Sequence, residues 1–225
     1  TSIVKPYIEN PDWAATKQIL FHNTSGLLGR GVAEFSFLVT GLQFGIGPWG
    51  YKFHSLLLHL ANGLLLFRLF YRLLTLIRPP LHARQALLIA GVASSFWLLH
   101  PLLVSTVLYA VQRMMELAAF FTLLALLSYI EARRCAGAGR RFYIYGWLLF
   151  PLSLLLALFS KENGALIPLY IVLFELCVFR TSLAMLKQQR HQLVWLLVFV
   201  VVLPLLAGTL VLLLFFDSFT DYSSR

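Results

Sequence analysis

The sequence predicts an all-α membrane protein, on the basis of its hydropathy, the length of its apolar stretches and the placement of its charges. Hydrophobic residues make up 60% of the 225 residues and charged residues only 12%, and the mean hydropathy is +0.81. A soluble domain of this length cannot bury so large an apolar fraction, because much of its surface stays in water. We therefore expect a polytopic bundle of transmembrane helices.

Six apolar stretches approach the roughly 20 residues that a helix needs to cross a bilayer. The predicted spans cover residues 53–76, 86–107, 115–131, 142–160, 164–180 and 192–216. Residues 1–52 are predicted to be an outer loop with a short amphipathic helix near Trp13 at the interface. The bundle covers 53–216, and 217–225 begins a further outer loop. Because the chain opens at Thr1 in loop-like sequence, we expect a fragment of a longer protein.

The loops alternate in charge. The segments 68–85, 131–141 and 180–191 hold 11 of the 18 lysines and arginines. Basic loops face the cytoplasm, so 1–52, 108–114, 160–163 and 217–225 are predicted to face a periplasm or lumen. We expect a multi-pass protein of a bacterial inner membrane, or of the ER membrane if eukaryotic. The net charge of +9 lies in these loops without a basic, aromatic stripe, so nucleic acid is not an expected partner.

Polar residues cluster in the segments that are predicted to lie near the outer interface. His59 and Asn62 share a helix face, while His100 and Gln112 flank a short loop. Cations near an interface suit a phosphate, and polar groups at membrane depth are functional candidates. We predict a lipid-phosphate site at Arg113, Lys161 and Arg30, with a pocket formed by His59, Asn62, His100 and Gln112.

Each of these residues also has a structural interpretation. His59 and Asn62 could serve only to hydrogen-bond a neighbouring helix. Arg113 could be an interfacial anchor, His100 with Pro101 a helix end, and Lys161 with its neighbours a solvated turn. The two cysteines, Cys135 and Cys177, are interpreted as ordinary thiols because no CxxC is present. The residues predict no metal site.

Three motifs in order resemble a known family. They are HxxN (His59, Asn62), HP…QR (His100–Pro101, Gln112–Arg113) and SKE (Ser160–Glu162). In this order and spacing, over nearly all of residues 1–180, the chain resembles polytopic glycosyltransferases of the GT-C superfamily. It is similar to the transmembrane and tetratricopeptide-repeat O-mannosyltransferases and their bacterial relatives.

The resemblance implies an odd-numbered helix bundle that moves a sugar from a polyprenyl-phosphate donor to a protein or glycan hydroxyl on the non-cytoplasmic face. It also implies a catalytic acidic residue in the first outer loop, where relatives carry an Asp-Asp pair just before the phrase that opens this chain. That pair would lie upstream of Thr1. The catalytic residue is therefore unknown, and Glu34, Glu116 and Glu162 are the remaining outer carboxylates near the motifs, with Glu162 a weak candidate.

One position departs from the family pattern. Relatives often carry a Glu after the HP motif, where this chain has Ser105, which leaves a divalent metal cofactor open. Two other function classes remain. A transporter or flippase for lipid-linked substrates would use polar sites deeper in the bilayer, and a non-catalytic membrane subunit would need none of the outer cations.

Overall fold

The computed structural model describes residues 30–76, 81–135 and 139–178, together with Val198 and Val202. Regular structure in the three ranges is entirely helical, as predicted. The interfacial helix near Trp13, the segment 217–225 and, apart from these two valines, the predicted span over 192–216 lie outside the described residues.

The first described element is a helix inside the predicted outer loop. Helix α1 (Gly31–Phe44) ends where Gly45, at φ 69°, donates its N–H to the Gly41 carbonyl over 2.8 Å. This left-handed conformation is one that glycine adopts without steric cost. Helix α2 (Pro48–Leu76) follows, and proline suits its first turn. The bounds 1–52 of the outer loop stay a prediction; within them the structure has this 14-residue helix and the first residues of α2.

The second predicted span is broken. Helix α3 (Ala83–Leu98) is followed by a 3₁₀ turn (Pro101–Leu103) and a short helix α4 (Val104–Leu108), with a bend of 51° between the two parts. Proline has no N–H to continue the helix. His100 caps the new turn instead, since its Nδ1 accepts the N–H of Leu102 over 3.3 Å. The interpretation of His100–Pro101 as a helix end agrees with this geometry.

The described residues from 110 to 178 form two helical hairpins. A 3₁₀ turn (Ala110–Gln112) leads into helix α5 (Arg113–Arg134). Next come α6 (Arg140–Tyr143), a π-helical stretch (Ile144–Leu149) and α7 (Phe150–Ser160), which together form one long apolar segment. A 3₁₀ turn (Glu162–Leu166) reverses the chain into α8 (Ile167–Cys177).

Three described helical segments are long and apolar enough to cross a bilayer. They are Pro48–Leu76, Ala110–Arg134 and Arg140–Ser160, and the bent pair Ala83–Leu98 with Pro101–Leu108 makes a fourth if it is one span. Helix α8, with 11 residues, is shorter than a bilayer requires. The described part is therefore a helical protein with three or four candidate spans, and the predicted total of six stays a prediction.

Helix α5 lies at the centre of the bundle, between α2 and α7. Fully buried alanines, among them Ala125 and Ala157, let the backbones approach closely, as in membrane helix interfaces. Large apolar side chains point outward instead: Leu64, Val92 and Phe96 are each at least 70% exposed. A lipid environment would cover such residues without cost.

Charged side chains gather at the two ends of α5. At its C-terminal end, Glu131 pairs with Arg72 (2.7 Å) and Arg134 (3.3 Å), and Arg133 pairs with Glu175 (2.8 Å). Its N-terminal end, around Arg113, carries the residues of the predicted site. The 22 residues of α5 place these ends about 33 Å apart, close to the thickness of a hydrocarbon core of about 30 Å.

The turn after α7 folds tightly onto that helix. A Cβ on Gly164 would lie 2.6 Å from both the carbonyl carbon of Ala157 and the backbone nitrogen of Leu158. Because backbone atoms cannot swing aside as a flexible side chain can, this position requires glycine. The close approach holds the 161–166 turn against the end of the bundle.

Gly164→Ala is expected to destabilise the protein by about 1–3 kcal/mol, the usual cost of overpacking. The measurement is the thermal unfolding midpoint in detergent. Gly91→Ala is the matched control, because a Cβ there meets nothing within 4 Å and alanine favours a helix. Equal midpoints for both variants would contradict the packing described for Gly164.

Candidate functional site

The turn after α7 lies beside the start of α5. The Lys161 ammonium is 2.6 Å from the sulfur of Met115. The guanidinium of Arg30 lies 3.1 Å from the sulfur of Met114 and 3.3 Å from a carboxylate oxygen of Glu162. We call Arg30, Lys161 and Glu162 the rim cluster. Residues from segments 130 positions apart thus meet at one end of the bundle, the end that also holds Arg113.

The Lys161 ammonium forms no direct ion pair with a carboxylate of the described residues. Its close partner is a thioether sulfur, which is a weak and neutral acceptor. The Glu162 side chain pairs with Arg30 instead and is 41% exposed. An anion could therefore approach Lys161 without first displacing a carboxylate from it.

Glu162 is ionised at neutral pH. A hydrogen bond from its own backbone N–H lowers the pKa of its carboxyl, and Arg30 and Lys161 lower it further, against a smaller opposing effect of burial. The carboxylate therefore offsets part of the charge of the two cations when no ligand is bound.

Arg113 is buried behind this surface, with 2% of the residue exposed. The rings of Phe37 and Tyr51 lie 4.9 and 5.4 Å from its guanidinium carbon. Its hydrogen bonds go to the Thr40 hydroxyl (2.8 Å), the Tyr51 carbonyl (2.5 Å), the Ser36 carbonyl (3.4 Å) and the Ser55 hydroxyl (3.4 Å). Arg113 thereby fastens α1 and α2 to α5.

The expectation that Arg113 grips a lipid phosphate is not supported by this arrangement. A guanidinium whose donors are satisfied by protein oxygens would have to give up those bonds to bind a ligand. The alternative of an anchor fits better, although the anchor is internal rather than interfacial. Of the predicted phosphate-binding residues, Lys161 and Arg30 are the two at the surface.

His59 and Asn62 connect α2 to two other helices. The His59 Nε2 donates to the Leu98 carbonyl at the end of α3 over 3.0 Å, and its ring stacks on Trp97 at 5.1 Å. The Asn62 amide donates to the backbone carbonyl of Glu116 over 3.0 Å. Both residues are buried and hydrogen-bond neighbouring helices, and their role in a ligand pocket stays a prediction.

Glu116 is the residue whose position the sequence did not reveal. It is 3% exposed, and its Oε1 lies 3.8 Å from the Nδ1 of His59. Its spacing of three from Arg113 puts the two on one face of α5, the available signal for it. The weak candidate Glu162 lies instead at the surface, and Glu34 on α1 is half-buried.

His100 and Gln112 lie outside the contacts of the rim cluster described above. His100 lines a separate apolar groove of about 750 Å³ between α2 and α3, with Phe67 and Val92 among its walls. The side chain of Gln112 is exposed just before α5. Their predicted role in one common pocket therefore gains no support from these contacts.

An apolar groove opens next to Lys161. It has a volume of about 520 Å³, begins at Met115 and Asn163, and runs along α5 and α8 to Leu126 and Phe174. Its walls are aliphatic and aromatic almost throughout. Lys161 does not line the groove itself, but its ammonium contacts Met115, which does.

No three His, Cys, Asp or Glu side chains converge as they would around a metal ion in the described part of the chain. Comparison with known proteins found no protein family, no curated protein and no solved structure that matches this chain. The geometry of the site must therefore carry any functional inference.

Arg113→Ala is expected to destabilise the protein by about 3–5 kcal/mol, because its removal leaves several buried oxygens without donors. The measurement is the thermal unfolding midpoint in detergent. Lys52→Ala is the control, since Lys52 is an exposed cation near the start of α2, a helix that Arg113 contacts. If Arg113→Ala unfolded no earlier than the control, the guanidinium would not be the fastening described.

Arg30→Gln is expected to raise the pKa of Glu162 while leaving it below the usual carboxyl value, because the backbone N–H of Glu162 remains the larger cause. Since the folded pKa is lowered, the Arg30–Glu162 contact contributes stability above the ordinary carboxyl pKa and loses it as the pH falls through the lowered value. A carboxyl-carbon NMR titration of labelled glutamate measures this, and Lys52→Gln should leave the pKa unchanged.

Proposed function

We propose that this chain belongs to a membrane glycosyltransferase that takes a sugar from a polyprenyl-phosphate carrier. The observation that carries this proposal is the apolar groove lined by Met115, whose sulfur contacts the Lys161 ammonium. A polyprenyl chain is a flexible hydrocarbon, and its phosphate is an anion at the membrane surface. The groove and the cation match these two parts in the order in which the lipid presents them.

The rim cluster would bind the phosphate through Lys161 first. Arg30 is held by Glu162 over 3.3 and 3.5 Å, which is long for a charged pair. A phosphate between the two cations could therefore draw the guanidinium away and bind it through two parallel hydrogen bonds. Lys161 and Arg30 would then face the oxygens on which charge accumulates during transfer.

Sugar transfer breaks the bond between the anomeric carbon and the phosphate oxygen, which leaves with the electron pair. The acceptor hydroxyl of a protein or glycan forms the new bond and gives up its proton. Cations at the leaving phosphate stabilise this transition state. The proton needs a carboxylate that the acceptor can reach; in the described part of the rim, Glu162 meets this condition, whereas Glu116 is buried.

The resemblance of the HxxN, HP…QR and SKE motifs to GT-C enzymes supports the same proposal. Under it, the end of the bundle with the rim cluster faces the periplasm or lumen. The opposite end, with Arg72, Arg133 and Arg134, faces the cytoplasm, as the positive-inside rule favours.

A lipid-linked substrate transporter is the second candidate, and the buried His59–Glu116 contact favours it. Ionisable pairs inside a membrane bundle occur in proton-coupled transporters. Both candidates require the lipid site at the groove, and they differ in what happens after binding.

The direct test is binding of polyprenyl phosphate to the full-length protein in nanodiscs. Lys161→Ala is expected to weaken binding by about 10- to 100-fold, the equivalent of a charged hydrogen bond of about 1.5–3 kcal/mol. Lys52→Ala serves as the control for general attraction of anions and should bind as the wild type does. Polyprenol without phosphate, and inorganic phosphate without a lipid, should both bind far more weakly than the whole lipid.

Unchanged affinity in Lys161→Ala would remove the lipid-phosphate assignment. The two candidate functions are separated by the glycosylated donor. Loss of sugar from polyprenyl-phosphate-sugar, to water or to an added acceptor, supports the transferase. Binding without any sugar release, together with movement of the lipid between leaflets of a vesicle, would favour the transporter.

A further inference from the structure

The buried carboxyl of Glu116 receives no hydrogen bond from any described residue. Both of its oxygens are inaccessible to solvent, and neither has a hydrogen-bond partner within the described part of the chain. An ionised carboxylate out of water normally accepts several hydrogen bonds, because the cost of burying an unsolvated charge is high. This group therefore stands in contrast to Glu131 and Glu175 at the other end of α5, each of which contacts an arginine.

The donors that surround Glu116 are turned to other acceptors. Arg113, three residues earlier on the same helix, donates to oxygens of α1 and α2. Asn62 has its amide N–H at the backbone carbonyl of Glu116 rather than at the carboxyl. With these two donors nearby, an ionised carboxylate would attract at least one of them.

The tautomer of His59 is fixed by its other contact. A carbonyl oxygen can only accept, so the 3.0 Å contact between His59 Nε2 and the Leu98 carbonyl requires the proton on Nε2. A neutral ring then has Nδ1 as an acceptor, and this nitrogen faces the Glu116 Oε1 at 3.8 Å. That distance is about 1 Å longer than a normal hydrogen bond, so a hydrogen bond here requires the two side chains to move closer together.

We propose that Glu116 is a protonated carboxylic acid that gives its hydrogen to the Nδ1 of neutral His59, so that the two residues form a proton-binding site inside the bundle. The charged or titratable groups that interact with Glu116 are Arg113 on its own helix and His59 on α2. Tyr51 of α2 contacts Arg113, and Lys161 contacts the adjacent Met115. The neutral acid leaves Arg113 as the single buried charge of the neighbourhood, satisfied by its own ring and oxygen contacts. This inference stands independently of the proposed function.

The proton also has a mechanical role. His59 binds the end of α3 through Leu98, and Glu116 belongs to α5. A proton held between the two side chains therefore connects the bent second span to the third span through α2. Loss of the proton would leave a bare carboxylate opposite a bare imidazole nitrogen, and both groups would lose their contact.

Infrared spectroscopy of the full-length protein in nanodiscs tests this inference. At neutral pH the wild type should show the carbonyl stretch of a protonated carboxylic acid, which Glu116→Gln abolishes. Glu162→Gln is the matched control: its carboxyl is exposed and ionised, so the band should remain. In His59→Gln the band should persist and move to the frequency of a more weakly hydrogen-bonded acid. A band that survives Glu116→Gln would overturn the assignment.

A second measurement needs no variant and so does not depend on folding of a mutant. Nitrogen NMR of histidine-labelled wild type should show, in addition to the His100 ring whose Nδ1 accepts the Leu102 N–H, a second ring with a protonated Nε2 and an Nδ1 that accepts a hydrogen bond. A His59 ring protonated on both nitrogens would mean an ion pair with ionised Glu116, and would contradict the proposal. So would an Nδ1 signal typical of a nitrogen without any hydrogen bond.

Discussion

The burial of Arg113 is the constraint on which this end of the bundle depends. A guanidinium that is almost without solvent contact must find its hydrogen bonds within the protein. It finds them on α1 and α2, and thereby fixes where α1 lies on the bundle. Because Arg30 immediately precedes α1, the placement of this surface cation follows from the buried one. Arg113 holds the helices together, and Arg30 lies in the rim cluster at the surface.

Hydropathy predicted the long helices because a helix that crosses a bilayer needs about 20 apolar residues in a row. It did not predict α1, whose 14 residues fall short of a span. The break at Pro101 could be foreseen, since proline cannot continue a helix. The angle between its two halves could not, because it depends on how α4 packs against α2.

The meeting of the turn at Lys161 with the start of α5 was predictable from the alternation of basic and less basic loops. The inward direction of Arg113 was not. On a helix that is apolar on most faces, periodicity does not say which side carries the protein and which the lipid. For the same reason the sequence did not indicate the contact of Glu116, which is with His59 on another helix rather than with its neighbours in sequence. Side chains that act across helices are found only when the helices have been placed.

Charged side chains are compensated differently at the two ends of α5. At the Glu131 end, carboxylates and arginines form direct pairs. At the Arg113 end, neutral oxygens satisfy the buried cation, and the carboxyl of Glu116 contacts an imidazole. The first arrangement is a closed network that suits a structural role. In the second, no carboxylate of the described residues forms an ion pair with Lys161, and no described donor hydrogen-bonds the Glu116 carboxyl.

The broken second span has a further consequence, visible in how its backbone bonds are reassigned. In an uninterrupted helix the carbonyl of Leu98 would accept the amide hydrogen of Leu102. His100 takes that amide, and the vacated carbonyl becomes the acceptor for His59. The two histidines thus replace the one backbone hydrogen bond that the helix loses: His100 accepts from its donor, and His59 donates to its acceptor. The HP motif on one helical segment and the HxxN motif on another therefore compensate the same lost hydrogen bond.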